Sequence, residues 1–146
     1  MTPPPGGSGT TRSGATLEDT VIPALTRNGY RYTKQMYLAP GLGGGRQRVD
    51  TLITTESDEQ INLSVKWQGG SGSADEKVPA EILKMLVLAD AHPEIKRSYI
   101  VLAGPGWTAR LKDFYKKDIV KFIPRAKEVK VLETDEFIHL CIRKAL

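Results

Sequence analysis

The sequence predicts an α/β fold with a mixed β-sheet flanked by helices. A helical segment is followed by a meander of three strand-like segments, and helical and strand-like segments then alternate to the end of the chain. The segment 61–68 alternates apolar and polar side chains, as a strand with one buried face does. A meander followed by crossovers places parallel strands beside antiparallel ones in a single sheet.

The composition limits the classes of protein to which the chain can belong. It has 146 residues, 21 Lys and Arg against 17 Asp and Glu, and one Cys. We expect residues 1–14, dominated by Pro, Gly, Ser and Thr, to be a disordered tail and residues 15–146 to form a single domain. One cysteine excludes an internal disulfide and a Cys-rich zinc site. No apolar run approaches the roughly 20 residues of a membrane span. We therefore expect an intracellular protein of the reducing cytoplasm, with a mild positive charge that permits a polyanion partner.

The predicted elements follow from apolar periodicity and turn residues. The first helix is expected to be irregular at Pro23 and to end at an Asn-Gly pair. In chain order we expect a helix at 17–27, strands at 30–38, 46–54 and 61–68, a helix from 75 or 78 to 91, a strand at 98–103, a helix at 108–117, a strand at 129–132 and a helix at 135–144. The buried stripe of the second helix is predicted as Val78, Ile82, Met85, Leu86 and Ala89.

The polar face of the third strand carries the candidate chemistry. Lys66 lies on that face between Ser64 and Gln68, and Asp50 on the preceding strand is expected at cross-strand distance. One interpretation is an Asp50–Lys66 ion pair on a half-exposed sheet. The other is phosphodiester hydrolysis, which uses a divalent cation held by carboxylate and carbonyl oxygens. Asp50, the Val65 carbonyl and one further acid would form that magnesium site, with Lys66 holding the attacking water or stabilising charge on phosphorus.

These residues belong to a series that resembles the PD-(D/E)XK nuclease superfamily, and more narrowly a small restriction-endonuclease-like branch of it. The series comprises Val49-Asp50, the strand residues 63–68, and 72–79, with supporting segments at 43–46 and 101–107. The resemblance covers the chain from about Leu17 to its last residue. It implies a restriction-endonuclease-like core of order α-β-β-β-α-β, endonuclease activity on DNA, and Mg²⁺ as the cofactor, with Mn²⁺ as the alternative ion.

Carried over position by position, the resemblance makes Asp50 the metal-binding acid and Lys66 the motif lysine, with Val49 in place of the usual proline. Ser64 stands where a second metal-binding acid is usual, and a serine hydroxyl is a poor magnesium ligand. Some members shift that acid to the next helix, and many carry an acid on the first helix. The candidates to replace it are Glu76, which we favour, Glu81 and Glu18. Without a replacement the site is inactive.

Basic and amide side chains supply candidate DNA contacts. The segment 108–130 has eight positive against three negative side chains, and such a stripe suits phosphate contacts. Arg48 alternates onto the strand face of Asp50. Gln68 extends the face of Lys66, where we expect it to position a water or contact a phosphate. The predicted DNA-binding residues are Arg46, Arg48, Lys77, Lys112 and Lys116.

We therefore expect a magnesium-dependent DNA endonuclease of restriction-like, nicking or junction-resolving type. A chain this short has little room for a separate recognition domain, so cutting both strands implies a homodimer or a partner subunit. The alternative is a catalytically inactive nuclease-fold DNA-binding module, which Ser64 favours, and a weaker one is an RNA-directed nuclease. Cys141 is expected to be a buried small residue rather than a nucleophile.

Overall fold

The structure, a computed structural model, describes residues 12–70 and 74–146. Within these ranges, helices pack on both faces of one five-stranded sheet. In chain order the elements are α1 (Arg12–Thr16), a π-helical turn (Leu17–Val21), α2 (Ile22–Arg27), β1 (Arg31–Leu38), a 3₁₀ turn (Leu42–Gly44), β2 (Gln47–Thr54), β3 (Gln60–Trp67), α3 (Ala74–Ala91), β4 (Ile95–Ala103), α4 (Ala109–Lys116), two 3₁₀ turns (Asp118–Lys121 and Pro124–Glu128), β5 (Val129–Glu133) and α5 (Thr134–Ile142).

The sheet has the order β1-β2-β3-β4-β5. The pairs β1–β2 and β2–β3 are antiparallel, whereas β3–β4 and β4–β5 are parallel. Helix α3 makes the crossover from β3 to β4, and α4 lies on the crossover from β4 to β5. The predicted mixed sheet with flanking helices is therefore confirmed.

The N-terminal region differs most from the prediction. Residues 1–11 of the predicted tail lie outside the described residues, and α1 occupies its last three residues. The expected irregularity at Pro23 takes the form of the π-helical turn, in which the Ile22 N–H donates to the Leu17 carbonyl just before the proline. The helical segment ends where expected, since Gly29 adopts a φ of +82° that favours glycine.

Successive side chains of β3 point alternately into two different layers, one on each face of the sheet. Ile61, Leu63 and Val65 are buried in a core formed with α2 and α5. The side chains between them face α3, which packs on the opposite side of the sheet against β4 and α4. The prediction that Asn62, Ser64 and Lys66 share one face is therefore confirmed, and that face lies under a helix.

Helix α3 is fixed in rotation by its buried stripe. Val78, Ile82 and Met85 are fully buried. Burial of each such side chain stabilises the folded state by roughly 1.5–3 kcal/mol. Leu88 is buried in the last turns, whereas the predicted Ala89 is only partly so. Position 81 follows Val78 by three residues and precedes Met85 by four. Residues at these spacings are neighbours on a helix surface, so position 81 lies along the edge of the buried stripe.

A proline inside α3 is compensated by a tyrosine from α4. Pro79 has no N–H to donate to the carbonyl of Asp75, four residues earlier. The Tyr115 hydroxyl donates to that carbonyl at 2.6 Å. The carbonyl is therefore paired, and α3 is joined to α4 at this point.

A tight turn fixes the start of α3 against the end of β3. The Gln68 carbonyl accepts a hydrogen bond from the Gly106 N–H at 2.7 Å. The Gln68 side-chain oxygen accepts from the N–H of Ala74, the first residue of α3, at 3.1 Å. Gly104 has a φ of +96°. These contacts require glycine in the turn, because there is no room for a Cβ at Gly106.

We expect Gly106→Ala to lower the free energy of unfolding by about 1–3 kcal/mol. A Cβ there would lie 2.6 Å from the Gly70 nitrogen and 2.8 Å from the Gln68 carbonyl oxygen. Chemical denaturation measures the loss. Gly45→Ala is the matched control, since nothing lies within 4 Å of its Cβ and its φ of −87° suits any residue. Equal destabilisation in both variants would contradict this close packing.

Candidate nuclease site

The candidate site lies where two strands of the sheet diverge. The antiparallel pairing of β2 with β3 runs from Thr54–Gln60 to Thr51–Leu63 and ends there. Continued by one step, the same register would place Asp50 opposite Ser64. Their side chains do meet, because the Ser64 hydroxyl lies 3.2 Å from Asp50 Oδ2. The expected cross-strand contact of Asp50 with Ser64 is therefore present.

The backbone of Val65 faces the gap between these strands. The Gln68 N–H donates to the Ala103 carbonyl, and the Gln68 carbonyl accepts from Gly106, so the backbone groups of Gln68 face β4. Because the backbone groups of successive strand residues point to opposite sides, those of Val65 face β2. The regular ladder to β2 has already ended at this level, so the Val65 carbonyl points toward the side of the strand on which Asp50 lies.

One hydroxyl joins two carboxylates. Ser64 Oγ lies 3.0 Å from Glu81 Oε1 as well as 3.2 Å from Asp50 Oδ2. A serine hydroxyl has a single proton, so it donates to only one of these oxygens at a time. The other carboxylate then faces the hydroxyl oxygen with no proton between them. A cation relieves this arrangement, because carboxylate oxygens are the ligands that hard cations prefer.

Lys66 pairs with Glu81 rather than with Asp50. Lys66 Nζ lies 2.9 Å from Glu81 Oε1, and the two side chains are only 18% and 17% exposed. The Asp50–Lys66 ion pair considered from the sequence is therefore replaced by a pair between β3 and α3. Asp50 instead lies beside Arg48, with Arg48 Nε 3.7 Å from Asp50 Oδ1. Both of these side chains are substantially exposed, so solvent screens their attraction.

Glu81, and not the favoured Glu76, contacts the site. Glu76 is exposed, and no hydrogen bond or ion pair joins it to Asp50, Ser64 or Lys66 among the described residues. The reason is helical phase: Glu76 precedes the buried Val78 by two residues, which turns it away from the sheet. Glu18 is also exposed and pairs with Lys34 of β1. Of the three candidate acids, the structure brings only Glu81 into contact with Ser64 and Lys66.

Gln68 has a structural position that differs from the predicted one. Its side chain is buried, at 6% exposure, and its oxygen accepts from the first turn of α3. This contact directs the amide oxygen to the Ala74 N–H rather than to a substrate. The expectation that Gln68 positions a water or a phosphate is corrected accordingly.

The donor set fits a hard divalent cation only in part. Asp50 and Glu81 supply carboxylates and Val65 a carbonyl, all oxygen ligands of the kind that magnesium and manganese accept. Among the described residues, no three His, Cys, Asp or Glu side chains are close enough together to hold a metal ion by themselves. A cation here would therefore complete its coordination with water and with substrate oxygens, as Mg²⁺ usually does.

The predicted DNA-binding residues divide into two groups. Arg46 and Lys77 are exposed, and Arg48 lies beside Asp50. Lys112 and Lys116, in contrast, are held by acids of the β5–α5 junction. Lys112 lies 2.8 Å from Glu133, and Lys116 lies 2.7 Å from Glu136 and 3.3 Å from Glu133. The charge of the basic stripe is therefore compensated at these two lysines, which corrects their prediction as phosphate contacts.

The single cysteine of the chain is not placed to act as a nucleophile. Burial raises the pKa of the Cys141 thiol to about 12, so it stays protonated at neutral pH and is a poor nucleophile. The side chain is fully buried against α2 and the sheet, which confirms its prediction as a core residue.

A strand meander, a helix and a parallel strand, with an acid and a lysine where two strands diverge, define the class as a nuclease-like α/β domain. The chain belongs to the PD-(D/E)XK nuclease superfamily, since the profile of that superfamily's domain matches residues 9–144. This confirms the resemblance seen in the sequence. A search of curated proteins finds no match to the chain. In the described part of the chain, no helix has the length and apolarity needed to span a membrane.

We expect Glu133→Gln to be less stable than the wild type at neutral pH, by up to about 1 kcal/mol. The hydrogen bond from Lys112, and then that from Lys116, lowers the pKa of Glu133 from its ordinary 4.5. A pKa that is lower in the folded than in the unfolded protein stabilises the fold at pH values above the ordinary pKa. This stabilisation is lost as the pH falls through the folded-state pKa.

Denaturation at a series of pH values measures the difference between the two proteins. The difference should be largest at neutral pH and should shrink toward zero as the pH falls below about 4.5. A difference that persists at acid pH would contradict the assignment of these ion pairs.

Proposed function

We propose that the protein is a metal-dependent DNA endonuclease that hydrolyses phosphodiester bonds, with Mg²⁺ as its ion and Mn²⁺ as a substitute. The observation that supports the proposal best is the Ser64 hydroxyl, which lies within hydrogen-bond distance of both Asp50 and Glu81, while Lys66 lies 2.9 Å from Glu81. Two acids and a lysine therefore meet beside the diverging strands of a nuclease-superfamily fold, with Glu81 contributed by α3.

Asp50, Glu81 and the Val65 carbonyl would hold the metal ion. In this proposal Glu81 replaces the acid that is usual at the position of Ser64, and the serine hydroxyl orients the two carboxylates. When bound, the ion would neutralise the phosphate and make a hydroxide nucleophile available near neutral pH.

Lys66 and Arg48 carry the other charges in the proposed reaction. The Lys66 ammonium, oriented by Glu81, donates to the attacking water or to the oxygens of phosphorus as negative charge develops there. Its limited exposure strengthens that interaction relative to a fully solvated lysine. Arg48 is more exposed, which leaves its guanidinium accessible to orient the phosphate that enters beside Asp50.

The same proposal includes a second subunit and an intracellular location for the protein. One chain supplies one such site, so cutting both strands of a duplex would require a homodimer or a partner subunit. A nicking or junction-resolving enzyme would fit the same chemistry. A single buried thiol suits a reducing, intracellular compartment.

A second candidate is a DNA-binding module that retains the fold without catalysis. The serine at position 64 favours it, and so does the presence of only two acids at the site among the residues that the structure describes. In that case the Lys66–Glu81 pair would be structural, and DNA would bind without being cut in any divalent ion.

We expect Asp50→Asn, Glu81→Gln and Lys66→Met each to reduce magnesium-dependent cleavage of plasmid DNA by at least about a hundredfold. Asp50 and Glu81 would lose a ligand charge, and Lys66 would lose its donor. Glu76→Gln is the matched control, since it removes an exposed acid of the same helix, and it should cleave at the wild-type rate. Thermal denaturation of each variant checks that the fold is intact.

Relocating the acid provides a second arm of the same test. The double variant Ser64→Glu/Glu81→Ser returns a carboxylate to the strand and a hydroxyl to the helix, and it should recover part of the activity that Glu81→Ser loses. Full cleavage by Asp50→Asn, or loss of cleavage in Glu76→Gln alone, would overturn the assignment. Binding without cleavage in every divalent ion would support the second candidate.

A further inference from the structure

The end of the β1–β2 hairpin forms a surface that adjoins the proposed site and shares only Arg48 with it. We call it the hairpin tip and define it by Tyr37, Leu42, Arg46 and Arg48. Tyr37 is 53% exposed and Leu42 is 47% exposed, although aromatic and leucine side chains are more often buried. Two basic side chains accompany these apolar ones, so the tip combines stacking surface with positive charge.

Strand register puts this surface beside the candidate site. Tyr37 pairs directly with Arg48, and directly opposite residues share a face of the sheet. Arg48 in turn contacts the candidate site, since its Nε lies 3.7 Å from Asp50 Oδ1. The hairpin tip is therefore joined to the candidate site through Arg48.

The ring of Tyr37 is held in place by an arginine. The guanidinium carbon of Arg46 lies 4.3 Å from the ring centroid, which is a cation–π contact. Guanidinium and phenol groups both stack on nucleic-acid bases. An aromatic ring that is ordered on one side and more than half exposed is a platform to which a base can be added.

The loop that carries Leu42 is ordered by its own hydrogen bonds. The Gly44 N–H donates to the Gly41 carbonyl at 2.9 Å, and the Leu42 N–H donates to the buried Gln47 side chain at 3.1 Å. Gly43 and Gly44 take φ values of +68° and +87°, which glycine tolerates best. Leu42 is thus an exposed apolar side chain on a structured turn, as suits a wedge that enters a base stack.

We propose that the hairpin tip binds an unpaired DNA base adjacent to the scissile phosphate, so that the preferred substrate carries an unpaired nucleotide. Tyr37 and Arg46 stack on the base, Leu42 contacts the neighbouring base pair, and Arg48 contacts the phosphate. The proposal rests on the proposed function in taking DNA as the substrate. It adds that the protein selects DNA by local structure.

Binding without divalent ions tests this directly. Fluorescence anisotropy in EDTA compares two labelled duplexes of the same sequence, one with a single unpaired 2-aminopurine and one fully paired. The wild type should bind the first about tenfold more tightly, and 2-aminopurine fluorescence should fall on binding as the base stacks. Tyr37→Ala should abolish both effects, whereas Tyr37→Phe should retain them because it keeps the ring.

Tyr32→Ala is the matched control. Tyr32 is an exposed tyrosine of the same strand, but it pairs with Ile53 near the start of β1, away from the hairpin tip. Equal affinity of the wild type for the two duplexes, or a preference that survives in Tyr37→Ala, would overturn the proposal.

Cleavage of the same duplexes in Mg²⁺ separates this proposal from the nuclease assignment. Equal cleavage of both duplexes with no binding preference would overturn the hairpin-tip proposal and leave the nuclease assignment standing. A Tyr37-dependent binding preference without cleavage would overturn the nuclease assignment and support the binding surface.

Discussion

The site depends on one serine hydroxyl that lies within hydrogen-bond distance of two carboxylates. The Ser64 hydroxyl reaches both Asp50 and Glu81, but it satisfies only one of them at a time. Lys66 compensates Glu81 from within the partly buried layer between β3 and α3, whereas Asp50 lies beside the more exposed and more distant Arg48. The negative charge of Asp50 is therefore less compensated than that of Glu81. A carboxylate whose charge is poorly compensated is available to bind a cation.

This interaction requires α3 to be fixed in height and rotation above the sheet. The buried stripe sets the rotation, since Val78, Ile82 and Met85 are fully buried. The start of the helix is tied to the Gln68 side chain, and the carbonyl that Pro79 leaves unpaired is taken by Tyr115. Gln68 thus supports the site from outside it, because it determines where α3 begins and so where Glu81 lies.

The sequence predicted the mixed sheet with its flanking helices, and it predicted that Ser64 and Lys66 share a face of β3. The two-residue period of β3 determines that Ser64 and Lys66 share a face, and no tertiary information is needed for that. The choice between Glu76 and Glu81 required the rotation of α3 relative to the sheet. The spacing from Val78 was the available signal, and it favours Glu81, whereas similarity around 72–79 favoured Glu76. The pairing of Lys112 and Lys116 with Glu133 and Glu136 could not be predicted, because those acids lie at and just after the end of β5, 17 to 21 residues further along the chain.

The most direct test is a crystal structure of the protein soaked in Mn²⁺, located by its anomalous scattering. We predict one ion within about 2.0–2.6 Å of oxygens from both Asp50 and Glu81, with the Val65 carbonyl as a third protein ligand. An ion held by Asp50 and Glu76, or an Asp50–Glu81 pair that binds no ion at saturating metal, would contradict the assignment of Glu81 as the second acid.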